Sequence, residues 1–174
     1  MKTVGALFTV AAAMILLASS AAEASGRIRG GGVVANPDGG YSGGGAVAGR
    51  GPNGGAYARG RAFQTDGEGN GKAASGGAFR GPNGAVGARA GTTSRSTDGT
   101  VTHQGGMAAS GARGSVESSG GFTKAPDGVT QSRTTTATGA NGATYQGSTS
   151  YDKTTGVTHS GSCTDAAGNT VPCR

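Results

Sequence analysis

The chain has 174 residues, of which 38 are glycine and none is tryptophan, and its formal net charge at pH 7 is +6. Hydrophobic residues make up 33% of the chain and aromatic residues only 5%. This composition excludes an ordinary globular core, because so little apolar surface cannot offset the entropy lost in ordering a glycine-rich backbone. Two classes remain: a largely disordered polymer, and extended backbone pairing with thin side-chain packing.

Residues 1–24 have the pattern of a secretory signal peptide. Lys2 supplies a positive charge, residues 4–18 form an apolar run, and Ala22-Glu23-Ala24 offers a small-x-small cleavage site. The run is short for a bilayer span of about 20 residues, which favours cleavage before Ser25 over a membrane anchor. No later segment is apolar enough to cross a membrane as a helix. The sequence therefore predicts a secreted or periplasmic protein.

A turn signal recurs from residue 36 to the end of the chain. Glycine closes each turn, usually after Asn or Asp, and takes the positive φ that such turns require. The spacing of these glycines is fifteen and then fourteen residues: Gly39, Gly54, Gly69, Gly84, Gly99 and Gly114, followed by Gly128, Gly142 and Gly156. A fixed period of this kind indicates a repeat architecture.

The segments between the turns read as β-strands. They alternate along the chain and contain Thr, Val and Tyr, which favour strands, whereas the recurring glycines disfavour helix. We predict an all-β fold, an antiparallel β-meander or β-repeat sheet of about eight to ten strands in ~14–15-residue strand–turn units. A stacked β-solenoid and a fibre subunit are the alternatives.

The composition changes along the repeat. Residues 25–91 are rich in Gly and Ala, whereas residues 92–174 contain more Ser, Thr and β-branched side chains. These two regions follow the signal peptide, and we expect order to increase toward the C-terminus. Partial disorder of the glycine-rich region is therefore part of the prediction.

Large side chains recur in pairs six residues apart. An even separation places both members on one face of a strand, so each strand would carry two anchors on the same side. The opposite face would then hold Ser, Thr, Gln, Arg and Gly. Symmetry about the turns further predicts that Phe79 lies opposite Val86 and Tyr151 opposite Val157. The pairs are Tyr41/Val47, Tyr57/Phe63, Val101/Met107, Val116/Phe122, Tyr145/Tyr151 and Val157/Cys163.

The chain contains two cysteines, Cys163 and Cys173. An isolated even pair in an exported protein indicates a disulfide, which here would close the last hairpin. No thiol nucleophile would then remain.

Other candidate sites have simpler explanations. His103 and His159 lie in matching Val-Thr-His contexts but on non-adjacent strands, which favours exposed histidines over a metal site. Asp66-Gly67-Glu68-Gly69-Asn70-Gly71 resembles the start of a calcium loop, but Gly77 stands where the closing glutamate belongs. No nucleophile elbow with acid and histidine partners is evident. We therefore predict no catalytic, cofactor-binding or metal-binding residues.

Two short resemblances accompany the repeat. Residues 151–158, Tyr-Asp-Lys-Thr-Thr-Gly-Val-Thr, resemble one unit of the YD repeats of large secreted shell proteins. The strand–turn–strand pattern is also similar to curli-type fibre subunits, although the Gln and Asn ladder positions of those proteins are missing here. Neither family is assigned.

These features predict a secreted, non-enzymatic, glycine-rich β-repeat protein with a structural role at a surface or in an extracellular matrix. The alternative is a cationic effector that binds anionic envelope polymers and acts like an antimicrobial protein. Expected partners are further copies of the chain and an anionic polysaccharide or envelope surface, contacted through arginines scattered along the sequence. No specific nucleic acid is expected.

Overall fold

The computed structural model describes residues 25–173 and forms one eleven-stranded antiparallel sheet. The strands pair in chain order, so the predicted all-β meander is confirmed. The predicted signal peptide, residues 1–24, lies outside the described residues. The strands are β1 (Gly26–Ala35), β2 (Tyr41–Arg50), β3 (Ala56–Thr65), β4 (Gly71–Arg80), β5 (Val86–Arg95), β6 (Val101–Gly111), β7 (Gly114–Ala125), β8 (Gly128–Gly139), β9 (Thr144–Asp152), β10 (Gly156–Thr164) and β11 (Thr170–Val171).

The fifteen-residue period is a ten-residue strand followed by a five-residue connection, and it holds from β1 to the start of β6. In the first connection the Asn36 carbonyl accepts from the Gly39 amide at 3.1 Å, and the Gly40 carbonyl accepts from the Asn36 amide at 2.7 Å. Gly39 has φ of 84°, which glycine adopts without the steric cost of a side chain. The regular turn therefore sets the regular strand length.

The period shortens where two-residue turns replace these connections. Arg113 lies in the turn between β6 and β7, and Pro126-Asp127 forms the turn between β7 and β8. Gly114 has φ of 120°, as its turn position predicted, but Gly128 is the first residue of β8 and is not among the glycines with positive φ. The expectation that Gly128 closes its turn is wrong, because the Pro-Asp dipeptide completes that turn alone.

The described residues form a single layer without a hydrophobic core. No apolar side chain among them is buried, and Ser118, at 5% exposure, is the one buried polar residue. The glycine-rich region carries strands β1 to β4 in full and the first part of β5, and these strands are as regular as those that follow. No helix within residues 25–173 is long and apolar enough to cross a bilayer. Backbone pairing, supplemented by side chains lying on each face, holds the sheet together.

The last hairpin is closed as the sequence predicted. Cys163 in β10 and Cys173 form a disulfide, with a Cα–Cα distance of 5.3 Å. The bridge holds β11 against the end of β10, where Val171 lies opposite Cys163 and Thr170 lies opposite Thr164. Without it, so short a strand would have only two backbone partners.

Candidate binding face

The strand register assigns each strand side chain to one of the two faces of the sheet. Directly opposed residues in an antiparallel pair point to the same side. Tyr57 in β3 lies opposite Phe79 in β4 and opposite Gly49 in β2, so these three residues share a face. The opposed pairs of the other strands extend this assignment across the sheet. All six predicted anchor pairs fall on one face, so that part of the prediction is confirmed.

The anchors share their face with most of the positive charge. Arg59 and Arg61 lie between Tyr57 and Phe63 at the same strand parity, and the register places the other members with them. We call this side the arginine face. Its cations are all exposed: Arg27, Arg29, Arg59, Arg61, Arg89, Arg95, Lys124 and Arg133. The prediction that arginine lies opposite the anchors holds for Arg50 and Arg80 but is wrong for the other seven strand arginines, which are separated from the anchors of their face by even numbers of residues.

Acidic side chains are segregated from these cations. The two acidic residues within the described strands, Glu117 and Asp152, lie on the opposite face. The strand cations there are only Arg50, Lys72 and Arg80. The remaining carboxylates of the described chain belong to turns. The arginine face therefore carries uncompensated positive charge.

Anchor pairing across turns is confirmed in one case and wrong in the other. Tyr151 lies opposite Val157, as predicted. Phe79 lies opposite Gly87, whereas Val86 lies opposite Arg80 and on the other face. The connection Gly81–Ala85 has five residues rather than four, which shifts the pairing by one residue and exchanges the faces.

Aromatic rings on the arginine face lie against glycines of neighbouring strands. A Cβ added at Gly49 would approach the Tyr57 ring to 2.8 Å, and one added at Gly43 would approach the Phe63 ring to 2.8 Å. Gly43 lies directly opposite Phe63, and Gly49 lies directly opposite Tyr57. Glycine is thus the residue that leaves room for the ring. The sequence signal was present, since a large residue and a glycine recur in opposed positions, but it needed the correct register.

Most of the large side chains on this face form two rows that run across the strands. Tyr57 and Phe79 belong to one row, and Phe63 and Phe122 to the other. Six residues of strand separate the rows, or roughly 20 Å at ~3.3 Å per residue. Between them lies a strip of glycine, small polar residues and arginine, together with the anchors Val47 and Met107.

Three arginines in this strip are aligned across alternate strands. Arg29 in β1 lies opposite Val47, which lies opposite Arg59 in β3. Arg59 lies opposite Gly77, which lies opposite Arg89 in β5. Two strand spacings of ~4.8 Å put successive arginines about 10 Å apart in this row.

Arg133 is held in place on the same face. Its Nε donates to the Ser118 hydroxyl at 2.9 Å, and that hydroxyl donates to the Thr134 carbonyl at 2.9 Å. The Thr135 hydroxyl lies 3.0 Å from the same oxygen. The buried Ser118 thereby fixes the orientation of an exposed guanidinium group.

Both histidines pair with a threonine on the adjacent strand. The Nδ1 of His103 lies 2.8 Å from the Thr93 hydroxyl, and the Nδ1 of His159 lies 2.9 Å from the Thr149 hydroxyl. The ring of His103 also stacks on Phe122, with centroids 5.5 Å apart. Across residues 25–173, no three His, Cys, Asp or Glu side chains are grouped to hold a metal ion. Sequence reasoning missed these His–Thr pairs.

Asp66 uses its carboxylate within its own turn. It accepts from the amides of Glu68 at 2.9 Å and Asn70 at 3.0 Å, and from the Asn70 side chain at 2.6 Å. The Asn70 side chain is the main cause that lowers the pKa of Asp66 below its ordinary value of 3.8. The resemblance to a calcium loop thus has a local structural explanation.

The last turn has the same arrangement of hydrogen bonds. Asp165 accepts from the amides of Ala167 at 2.9 Å and Asn169 at 2.8 Å, and from the Asn169 side chain at 3.0 Å. The Asn169 side chain likewise lowers the pKa of Asp165. Asp and Asn four residues apart are the sequence signal for this turn.

Comparison of the chain with protein-family models, with characterised proteins and with solved structures finds no match. The arrangement of the sheet faces therefore carries the functional interpretation.

Proposed function

We propose that this protein is a secreted, non-enzymatic structural protein that binds an anionic polysaccharide of a cell surface or extracellular matrix through its arginine face. One observation carries the proposal: eight exposed strand cations share one face with the aromatic anchors, and no strand acid lies there. Like charges on one surface repel each other, and a polyanion relieves that repulsion.

The shape of the face suits an extended polymer. The row formed by Arg29, Arg59 and Arg89 runs across the strands. Its period of about 10 Å, two strand spacings, favours a chain with regularly repeated carboxylate or sulfate groups. The open single layer has no walls to exclude such a chain.

The aromatic rows add apolar contact surface on both sides of this strip. Tyr57 is 41% exposed, Phe79 50% and Tyr151 38%. Exposed apolar residues arranged in rows are typical of interaction surfaces, and tyrosine presents both a ring and a hydroxyl to a partner. Sugar rings, which have apolar faces and polar edges, match that chemistry.

The choice of polysaccharide over nucleic acid follows from the predicted export of the chain. The non-enzymatic part of the proposal is supported by the chemistry of the face, where guanidinium groups and rings bind ligands but do not supply an acid–base pair. The two histidines of the face lie on β6 and β10, separated by three strands.

The test compares two variants that remove equal charge from opposite faces. Arg59→Gln with Arg89→Gln changes the arginine face, and Lys72→Gln with Arg80→Gln changes the other. Binding to heparin, as a sulfated polysaccharide probe, is measured by calorimetry over a range of salt concentrations. We expect the first pair to weaken binding about tenfold or more, a difference of ~1.4 kcal/mol, and to flatten the salt dependence. The second pair should change affinity much less.

Equal losses from both pairs would show that net charge, not the face, drives binding. Tighter binding to duplex DNA or to anionic lipid vesicles than to heparin would contradict the polysaccharide assignment.

A further inference from the structure

Among residues 25–173, strand β1 forms one edge of the sheet over its whole length. All ten of its residues, Gly26–Ala35, are exposed, and within this part of the chain the strand pairs only with β2. Three of the four most exposed large apolar side chains belong to this strand: Ile28 at 79%, Val34 at 64% and Val33 at 62%. An exposed edge strand with apolar side chains is a template for pairing with another chain.

The turn after β1 fixes which backbone groups point away from the sheet. The Asn36 amide donates to the Gly40 carbonyl, so this pair belongs to the hydrogen-bonded set. Because that set alternates along an antiparallel ladder, even-numbered residues of β1 bond to β2 and odd-numbered ones point outward. Outward amides and carbonyls therefore belong to Arg27, Arg29, Gly31, Val33 and Ala35.

We propose that β1 pairs with β1 of a second copy, antiparallel and centred on Gly31. In this register Arg29 of each copy lies opposite Val33 of the other, and Arg27 lies opposite Ala35. On the other face Ile28 lies opposite Val34, a pair of β-branched side chains of the kind that stabilises sheets. No two arginines are directly opposed. The sequence of the strand is thus complementary to itself.

The opposite edge of the sheet has fewer outward-pointing backbone groups. The Asp165 amide donates to the Asn169 carbonyl, which places Cys163 in the hydrogen-bonded set facing β11. The disulfide holds β11 there. Outward groups of β10 then remain only at Val157, His159 and Gly161, compared with five residues on β1.

Pairing of like edges has a defined outcome. A two-fold interface between identical strands closes on itself and gives a dimer, whereas pairing of β1 with β10 would give an open fibre. Directly opposed residues share a face, so the arginine faces of the two copies lie on the same side. The dimer would therefore double the length of the proposed polymer-binding surface. The interface itself does not depend on that proposed function.

Sedimentation equilibrium of a chain of residues 25–174, which contains every strand, tests the interface. We expect a monomer–dimer equilibrium. Val33→Lys places a like charge opposite Arg29 and should raise the dimer dissociation constant about tenfold, whereas Val33→Glu should lower it. Val33 is 62% exposed on an edge, so either change removes little packing within one copy. Val157→Lys, the same change on the edge strand β10, serves as the matched control and should leave the equilibrium unchanged.

A monomer at all concentrations would overturn the proposal. So would equal effects of Val33→Lys and Val33→Glu, because the charge opposite Arg29 would then be irrelevant. Species larger than a dimer that disappear with Val157→Lys would show head-to-tail assembly in place of the β1 interface.

Discussion

The two halves of the sheet share one backbone ladder but fill its surfaces differently. In β2 to β5 the rings of Tyr57, Phe63 and Phe79 lie against glycines of adjacent strands on the arginine face. In β9 and β10 hydroxyls pair across strands on the opposite face. These pairs are Thr144–Thr164 at 2.6 Å, Ser148–Ser160 at 2.7 Å and Ser150–Thr158 at 2.6 Å.

A chain without leucine-rich packing can still specify a strand register through such matches. A ring that requires a glycine opposite it and a hydroxyl that requires a hydroxyl opposite it both mark which residues face each other. A one-residue slip would break either match. Rings over glycines occur in both halves, since the Tyr145 ring in β9 also lies against Gly161 in β10, and the second half adds the hydroxyl pairs on the opposite face.

The largest expected effect comes from filling the space under a ring. Gly49→Val would introduce a side chain at 2.8 Å from the Tyr57 ring and should destabilise the protein by about 1–3 kcal/mol, as overpacking does. Gly60→Val is the matched control, because a Cβ there meets its neighbours at an ordinary 3.5 Å. Urea unfolding followed by circular dichroism measures both.

A second change identifies the cause. Adding Tyr57→Ala to Gly49→Val removes the ring that the valine meets, so the double variant should lose less stability than the two single losses summed. Additive losses would mean that the ring and the glycine are not in contact.

A smaller effect is expected in the second half. Ser148→Ala removes one partner of an exposed hydroxyl pair and should cost less than about 1 kcal/mol. The loss should appear as faster amide exchange in β9 and β10, with β2 and β3 unchanged. Gln146→Ser, on the same strand and face, is the control and should be silent. Equal loss of protection in β2 and β3 would contradict independent local packing in the two halves.

The smallest effect concerns the Asp–Asn turns, which occur once in each half. The pKa values of Asp66 and Asp165 are lowered by their hydrogen bonds, so the stability that each carboxylate contributes is present above its ordinary value of 3.8. That contribution is lost as the pH falls through the lowered folded-state pKa. NMR spectra of the Asn70 and Asn169 amides should shift together in that acidic range.

Asp165→Asn provides the control, since an amide oxygen still accepts but does not titrate. The Asn169 amide should lose its acid shift in this variant while Asn70 keeps it. An unchanged acid shift at Asn169 would assign the titration to another group.

The sequence predicted the strands, their pairing in chain order and the disulfide, because turn glycines, strand alternation and two cysteines are local signals. It did not place most of the arginines correctly, although Tyr57, Arg59, Arg61 and Phe63 all have the same parity. It also paired Phe79 with Val86. That pairing assumed a four-residue turn, whereas the connection between β4 and β5 has five residues. Faces and opposed pairs depend on register, which a single residue more or less in a turn shifts.

We expect ligand binding on one face of the sheet only. Modification of arginines by phenylglyoxal, measured by mass spectrometry with and without bound heparin, distinguishes the two faces. Arg59, Arg61 and Arg89 should be protected together, whereas Arg80 on the opposite face and Arg113 in a turn should react at the same rate with or without heparin. Equal protection of Arg80 and Arg89 would contradict a one-sided binding face.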